Sequence, residues 1–533
     1  MTPTKPAFLR AAWLAGFAAA VVSGAVVAQT PPPAAPAGPA EAQAARPAGP
    51  RSDTEAEAAE RRTGAPGAEN ARRLPPDATT RHALDLPGRT LHFAATAGSF
   101  RLTDAQGAPQ ADLAYIDYQL ELPEPRTRAV TFVVNGGPGA ASAWLQLGAL
   151  GPWRLPLAGA AALPSAPPDL VPNAETWLDF TDLVFIDPAG TGYSGFPRPG
   201  DEARRRLWSV EGDIRSLAEV VRRWLEKNGR LVSPKFLVGE SYGGFRGPRL
   251  ARALQTDQGI GIGGLVLISP VLDFGGRSAA FDPLSWATRL PTMAAAARAA
   301  SGTAATSAEL AEAERYAAGE YVADLLRGER DAEAIARASE RVAALTGLDP
   351  ALVQRRHGRV EVGEFLRELG RRDGRVASAY DATVTGPDPF PFAVVSRHPD
   401  PVLDALIAPL TSAMLDLYGR RLGWHPEGRR YELLNRATSR EWDWGRADSP
   451  PESVGSLRTA LALDTRLRVL VAHGLFDLVT PYFGTKLLLA QVPERGGGDR
   501  IRLVTYPGGH MFYAVDASRA ALRDEARAMI GSR

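Results

Sequence analysis

Cysteine is absent from all 533 residues of this chain. Disulfides are therefore excluded, as is lipid attachment at a cysteine. A secreted chain without them must hold itself together by burying core, which this length permits. Net charge is almost absent too, since 61 Lys and Arg oppose 60 Asp and Glu to leave +1. No polyanion partner follows from that balance, and no basic stripe interleaved with aromatics points to nucleic acid. Histidine is sparse, at seven residues, and the chain has neither a His-Glu-x-x-His sequence nor a Cys cluster, so no metal site is expected. Large apolar side chains are nearly missing from residues 29–80, which are rich in Pro, Ala, Gly, Glu and Arg. Such a segment cannot offset its ordering entropy and is expected to be a disordered linker without chemistry of its own.

What is present begins with an N-terminal signal. Lys5 and Arg10 form a positive region, Ala11 to Val27 is apolar, and Val26-Val27-Ala28 offers small residues for cleavage. Residues 1–28 read as a secretory signal peptide, which gives a periplasmic or secreted protein with no stable membrane insertion after cleavage. The alternative is a membrane anchor, for which the apolar run is barely long enough.

Beyond the linker the pattern is that of an α/β protein. Residues 113–120 alternate through Ala114, Ile116, Tyr118 and Leu120, which predicts a half-exposed antiparallel strand. Short apolar runs at Val130–Val134, Leu183–Ile186, Phe236–Val238, Leu265–Ile268, Val469–Ala472 and Ile501–Thr505 fit buried parallel strands. Val210, Ile214, Leu217, Val221 and Trp224 make one helical stripe to set against a sheet. Residues 282–445 break the alternation with Ala- and Arg-rich helical stretches and no buried strand in evidence. The expected organisation is thus a core from 81–281 and 446–533, interrupted by a helical cap at 282–445 that shapes the site and its specificity. A peripheral domain without a catalytic role is the alternative.

Chemistry enters at Gly239-Glu240-Ser241-Tyr242-Gly243, between a strand and a helix. A turn of this kind strains the central Ser, needs glycine on both sides, and exposes the hydroxyl near a helix N-terminus. An ordinary Gly-rich loop is the bland reading, so the Ser needs partners. His510, on the Gly508-Gly509 turn after a strand, is the candidate base. Asp477, on the turn Gly474-Leu475-Phe476, is the candidate acid that orients it, although an Asp there is commonly only a turn former. His473, at the end of its strand, reads as structural. The order Ser, Asp, His is that of the α/β-hydrolase triad. Backbone N–H groups of Gly137, in Asn135-Gly136-Gly137-Pro138-Gly139, and of Tyr242 would form the oxyanion hole. A phosphate cradle is the other use of such a loop, but no Gly-Lys-Ser/Thr follows it.

With these blocks in place the chain resembles the serine carboxypeptidases. The resemblance is carried by Asn135 to Gly139, Asp187-Pro188-Ala189-Gly190-Thr191-Gly192-Tyr193-Ser194, Gly239 to Gly244, Gly474 to Asp477, and Gly508-Gly509-His510-Met511. It implies a secreted bacterial member with an α/β-hydrolase sheet, an inserted helical cap, peptide substrates, no cofactor, and removal of C-terminal residues, often at acidic pH. It also implies that Asn135 and Glu240 bind the substrate carboxylate, with Glu240 donating when protonated. Three departures stand out: Val133-Val134 replace a Trp, Ala140 replaces a frequent Cys, and Ala149 stands where a Glu would pair with Glu240. Losing that partner removes one means of keeping Glu240 protonated. Two other functions share the scaffold: an esterase or acyltransferase with the same triad, and a non-catalytic binding protein.

Overall fold

The computed structural model describes residues 73–157, 163–198, 200–275, 282–393, 398–445, 449–493 and 500–531. The expected signal peptide, and the linker up to residue 72, lie outside the described residues. Nine strands form one sheet: β1 (Ala78–Leu86), β2 (Arg89–Thr103), β3 (Pro109–Leu120), β4 (Val130–Val134), β5 (Asp182–Ile186), β6 (Lys235–Glu240), β7 (Gly264–Ile268), β8 (Arg468–Gly474) and β9 (Ile501–Tyr506). Their spatial order is β1-β2-β3-β5-β4-β6-β7-β8-β9. The first three strands and the β3–β5 contact are antiparallel, and every pair from β5 to β9 is parallel.

The apolar runs of β4 to β8 are continuous because both faces of the sheet are covered there, whereas β9, expected to be buried, lies at the sheet edge and is only partly buried. One face carries Phe132, Val134, Leu237, Leu267 and Val471. It packs on helix α1 (Val210–Lys227), helix α2 (Tyr242–Asp257) and a later helix, Val454–Leu463. The whole predicted stripe of α1 is buried, and the Ser209 hydroxyl caps its N-terminus by accepting from Gly212 N. The other face carries Val133, Phe185, Val238, Ile268 and Ala472, and packs on helix α3 (Leu403–Asp416) and helix α4 (Asp516–Gly531).

Three expectations are corrected here. β3 is not half exposed: its centre is buried on both sides, with Ala114, Ile116 and Tyr118 in one core and Tyr115 in the other. Polar Asp117 is accommodated because Trp224 Nε1, from α1, donates to it at 2.9 Å. The folded core also includes residues before 81, since Leu74 is buried, Trp424 Nε1 donates to Pro76 O, and β1 starts at Ala78. Finally, residues 282–445 do contain buried strand: Arg375–Ala377 pairs with Thr385–Pro387, and Val376 and Ala377 are buried. Strands of three residues are too short to leave a period in the sequence.

That long excursion between β7 and β8 does two different things. Its first part, with helices Leu290–Ala300, Ala332–Thr346 and Val362–Gly370, builds an apolar cluster that also takes in Leu475, Leu478, Tyr482 and Phe483 beyond β8. Its later part, including Leu406, Leu410, Met414, Tyr418 and Trp424, belongs to the core of the sheet itself.

Candidate active site

Strand order reverses around β4, whose neighbours are β5 and β6. Loops at the carboxyl ends of β4 and β6 therefore diverge there and leave a crevice, the usual place for a site in an open parallel sheet. Ser241 sits between β6 and α2 with φ +60° and ψ −119°. A non-glycine residue held there is strained, and the surroundings fix it. Ser241 N donates to Ile268 O at 2.9 Å, and Ser241 O accepts from Gly244 N at 2.9 Å. The flanking glycines are obligatory. A Cβ on Gly239 would lie 2.0 Å from Gly243 O, and one on Gly243 would lie 2.4 Å from Val134 O. The Ser241 side chain does not cap α2, so its hydroxyl is not spent on the helix.

The glycine loop after β4 packs directly against this turn. A Cβ on Gly136 would come within 2.6 Å of Glu240 O, 2.7 Å of Tyr242 N and 2.8 Å of Ser241 Cβ. Gly137 follows with φ +100° and a cis bond to Pro138. Tyr242 N, in the first turn of α2, has no intrahelical acceptor. The loop is fixed from behind by Arg246, itself 1% exposed. Its Nη1 donates to the Asn135 and Gly136 carbonyls, while its Nε donates to buried Asp213 at 2.6 Å.

His510 and Asp477 meet across the ends of β8 and β9. A Cβ on Gly474 would lie 1.9 Å from Gly509 O, so only glycine lets the two loops touch. His510 Nδ1 lies 2.8 Å from Asp477 Oδ2, and both side chains are buried. Asp477 Oδ1 accepts from Val479 N at 2.8 Å and Thr480 N at 2.9 Å. The Thr480 hydroxyl donates to Asp477 Oδ2 at 2.6 Å and lies 3.1 Å from His510 Nδ1. Burial opposes the charge on Asp477, yet His510 and the Thr480 hydrogen bonds hold its carboxyl below the ordinary range. His473 is fully buried, and burial pushes its imidazole down to about 4, so it stays neutral and packed in β8.

A strap from the excursion, residues 378–382, binds both of these loops. Leu478 N donates to Ala379 O and Ala382 N to Phe476 O, each at 3.0 Å, and His510 N donates to Tyr380 O. The Tyr380 ring stands edge-on to the His510 imidazole, with centroids 5.3 Å apart. Asp400 anchors the strap by accepting from Ser378 Oγ and Ala379 N, and it also receives Val402 N and Leu403 N at the start of α3.

Glu240 is buried beside Ser241. Asn135 Nδ2 donates to its Oε2 at 2.7 Å, and Asn135 Oδ1 accepts from Leu145 N, which fixes the amide. The Tyr513 hydroxyl reaches both Glu240 oxygens, at 2.9 and 3.1 Å. Burial pushes the carboxyl up to about 7, assisted by the Asp477 charge and opposed by His510, Tyr513 and Asn135. Burial by itself thus keeps Glu240 from behaving as an ordinary carboxylic acid. Thr480, Tyr380, Tyr513 and Arg246 escaped the sequence reading. The one available signal was spacing, with Thr480 three residues after Asp477 and Tyr513 three after His510.

The site's elements have relatives. Residues 90–298 match the family model for serine carboxypeptidase. Among curated proteins the chain is 28% identical over 143 residues to serine carboxypeptidase-like 13 of Arabidopsis thaliana, covering 26% of this chain and 32% of that protein. It is 27% identical over 154 residues to the pheromone-processing carboxypeptidase KEX1 of Candida albicans, covering 27% of this chain and 19% of that one. The matched stretch is thus a third or less of either relative. In fold it is similar to the solved prohormone-processing carboxypeptidase Kex1(delta)p of Saccharomyces cerevisiae, with a TM-score of 0.52, 14% identity, and coverage of 82% of this chain and 90% of the other. The chain is thus similar to serine carboxypeptidases over residues 90–298, and its fold is that of an α/β-hydrolase sheet.

Proposed function

We propose that this protein is a serine-type carboxypeptidase that releases C-terminal residues from peptides through an acyl-enzyme on Ser241. In this reading His510 takes the Ser241 proton as the hydroxyl attacks the scissile carbonyl. Asp477 holds the imidazole by Nδ1 and stabilises the imidazolium. The oxyanion is met by N–H groups of Gly137 and Tyr242, where the helix N-terminus adds its positive end. His510 then gives its proton to the leaving amine, and water repeats the sequence on the ester. Asn135 and protonated Glu240 receive the substrate's terminal carboxylate.

The observation that carries the reading is the placement of Glu240. The residue next to Ser241 is buried, hydrogen bonded to the Asn135 that opens the glycine loop, and pushed up to about 7 by burial. A neutral carboxyl there can donate to a carboxylate, whereas an ionised one would repel it. In this reading residues 1–28 act as a secretory signal and the enzyme works in the periplasm or outside the cell.

The test is release of free amino acid from an N-blocked dipeptide between pH 4 and 8, beside the same peptide with an amidated C-terminus. The free acid should be cleaved far faster on the acid side of neutrality, and Ser241→Ala should lose activity by several orders of magnitude. Equal cleavage of the two peptides, or cleavage of simple esters alone, would remove the carboxypeptidase assignment and leave an esterase or acyltransferase.

A further inference from the structure

Glu240 receives hydrogen bonds from two side chains among the described residues, Asn135 and Tyr513. They are not equivalent. Asn135 comes from the end of β4 and its amide is locked by Leu145 N. Tyr513 lies on the turn Phe512–Ala514, three residues beyond His510, so the partner of Glu240 and the candidate base ride on one short segment. The Tyr513 side chain is fully buried, and its ring packs so close to Gly148 that a Cβ there would meet Cε2 at 2.6 Å. Arg519 Nη1 donates to Tyr513 O at 3.1 Å and holds the backbone. Such a phenol has little freedom to do anything except face Glu240.

A phenol next to a carboxyl behaves differently from a second carboxyl. Two carboxyls share one proton and keep it to high pH, whereas a phenol stays neutral and donates into the ionised carboxylate. Burial and the Glu240 charge push Tyr513 well above the ordinary tyrosine range, so it does not titrate with its partner. The other groups that act on Glu240 lie across the site. His510 favours its charge, Asp477 opposes it, and the neutral Tyr380 ring feels it in turn.

We propose that Tyr513 is a positioning residue that sets the charge state in which Glu240 meets a substrate carboxylate, and so fixes the pH above which peptides with a free C-terminus cease to be preferred. By donating to the carboxylate it makes Glu240 ionise earlier than burial alone would, which narrows carboxypeptidase action to the acid side. This rests on the carboxylate-binding reading proposed above.

The experiment is the ratio of kcat/KM for the free-acid dipeptide to that for its amide, from pH 5 to 9. Wild type, Tyr513→Phe, Glu240→Gln and the double variant are compared. A ratio of two substrates in one sample cancels the active fraction, so partial misfolding does not blur it. The wild-type preference should fade near neutrality. In Tyr513→Phe the midpoint of the fade should rise by about one pH unit, the size expected for one lost hydrogen bond to a charge. In the Glu240→Gln background the Phe change should move nothing. If the Phe variant does not fold, Tyr513→Met fills the space without a donor and should shift the midpoint in the same direction. A midpoint that stays, or falls, in a variant whose parent prefers free acids overturns the role of Tyr513. A wild type with no preference at any pH overturns the carboxylate reading instead.

Discussion

Asp213→Asn is the most informative single change outside the reacting groups. Arg246 is 1% exposed, and Asp213 is its counter-ion at 2.6 Å in the buried space between α1 and α2. Burial pushes the Asp213 carboxyl up and the guanidinium beside it pulls the other way. Asparagine keeps the shape and one acceptor but leaves a buried cation without its counter-charge. Breaking such a pair costs about 3–5 kcal/mol, most of it the desolvation of the orphaned partner. For a chain this size, with a large urea dependence, that corresponds to a midpoint about 1 M lower in urea, read by tryptophan fluorescence. A second effect follows from what else Arg246 holds. Its Nη1 is the anchor for the Asn135 and Gly136 carbonyls, and Gly136 lies against Tyr242 N and Ser241. A guanidinium that moves toward solvent takes the glycine loop with it. In the proposed mechanism this loop supplies an oxyanion donor, and since losing one costs about 10²–10³ in rate, kcat should fall at least about tenfold even if the displacement is partial. The double variant Asp213→Leu, Arg246→Met separates the two effects: an apolar pair of similar volume should restore stability but not kcat. If Asp213→Asn unfolds within about 1 kcal/mol of wild type, the buried pair is not carrying charge as argued. If stability falls while kcat does not, Arg246 is not holding the loop.

Two further outcomes follow from the same geometry. Thr480→Val removes the hydroxyl that lies 2.6 Å from Asp477 Oδ2 and 3.1 Å from His510 Nδ1 while keeping the side-chain volume. A hydrogen bond to a charged group contributes about 1.5–3 kcal/mol, so kcat/KM should fall roughly tenfold to a hundredfold, equally for esters and peptides. A loss confined to free-acid peptides would contradict a role at the His–Asp pair. Asp187 is buried, accepts from Ser142 N, a few residues beyond the glycine loop, at 2.8 Å, and is pushed up to about 7 by burial. Its folded form therefore holds a proton that the unfolded chain has released. That contribution to stability is complete below about pH 4 and is lost as pH rises toward 7. Asp187→Asn should flatten the decline in urea midpoint between those values, and an unchanged slope would show that Asp187 is ionised throughout.

Much of the sheet was legible because burial on both faces writes itself into sequence as short Val-, Ile- and Leu-rich runs. β4 to β8 were read that way, each to within a few residues, and β9 was located by a similar run although at the sheet edge it is only partly buried. β3 misled for the opposite reason: its alternation of apolar and polar residues usually means one wet face. Here Asp117 and Tyr115 are internal, satisfied by Trp224 and by neighbours on the other core. No pattern within β3 reveals a partner more than a hundred residues away. The glycines at the site were legible because each is a steric necessity with a motif around it. Thr480 and Tyr513 were not, since a lone hydroxyl has no period and no motif. Its meaning lies in which loop end it faces after folding.

The strap at 378–382 shows why the excursion resisted the reading most. Sequence presents residues 282–445 as an insertion, which invites the idea of a cover laid over a finished site. In the fold, the backbone of the strap is hydrogen bonded to the loops that carry Asp477 and His510, and Tyr380 lies edge-on to the imidazole. The chain beyond it, from α3 to Trp424, is part of the sheet's own core. Removing the excursion would therefore leave the ends of β8 and β9 without contacts that fix their loops and one face of the sheet without part of its cover. Loops tied by backbone hydrogen bonds tolerate side-chain change, so strap side chains other than Ser378, which bonds Asp400, and Tyr380, which meets the imidazole, can vary while the His–Asp pair stays put. That separation is what a site needs if its chemistry is constant and its specificity is not.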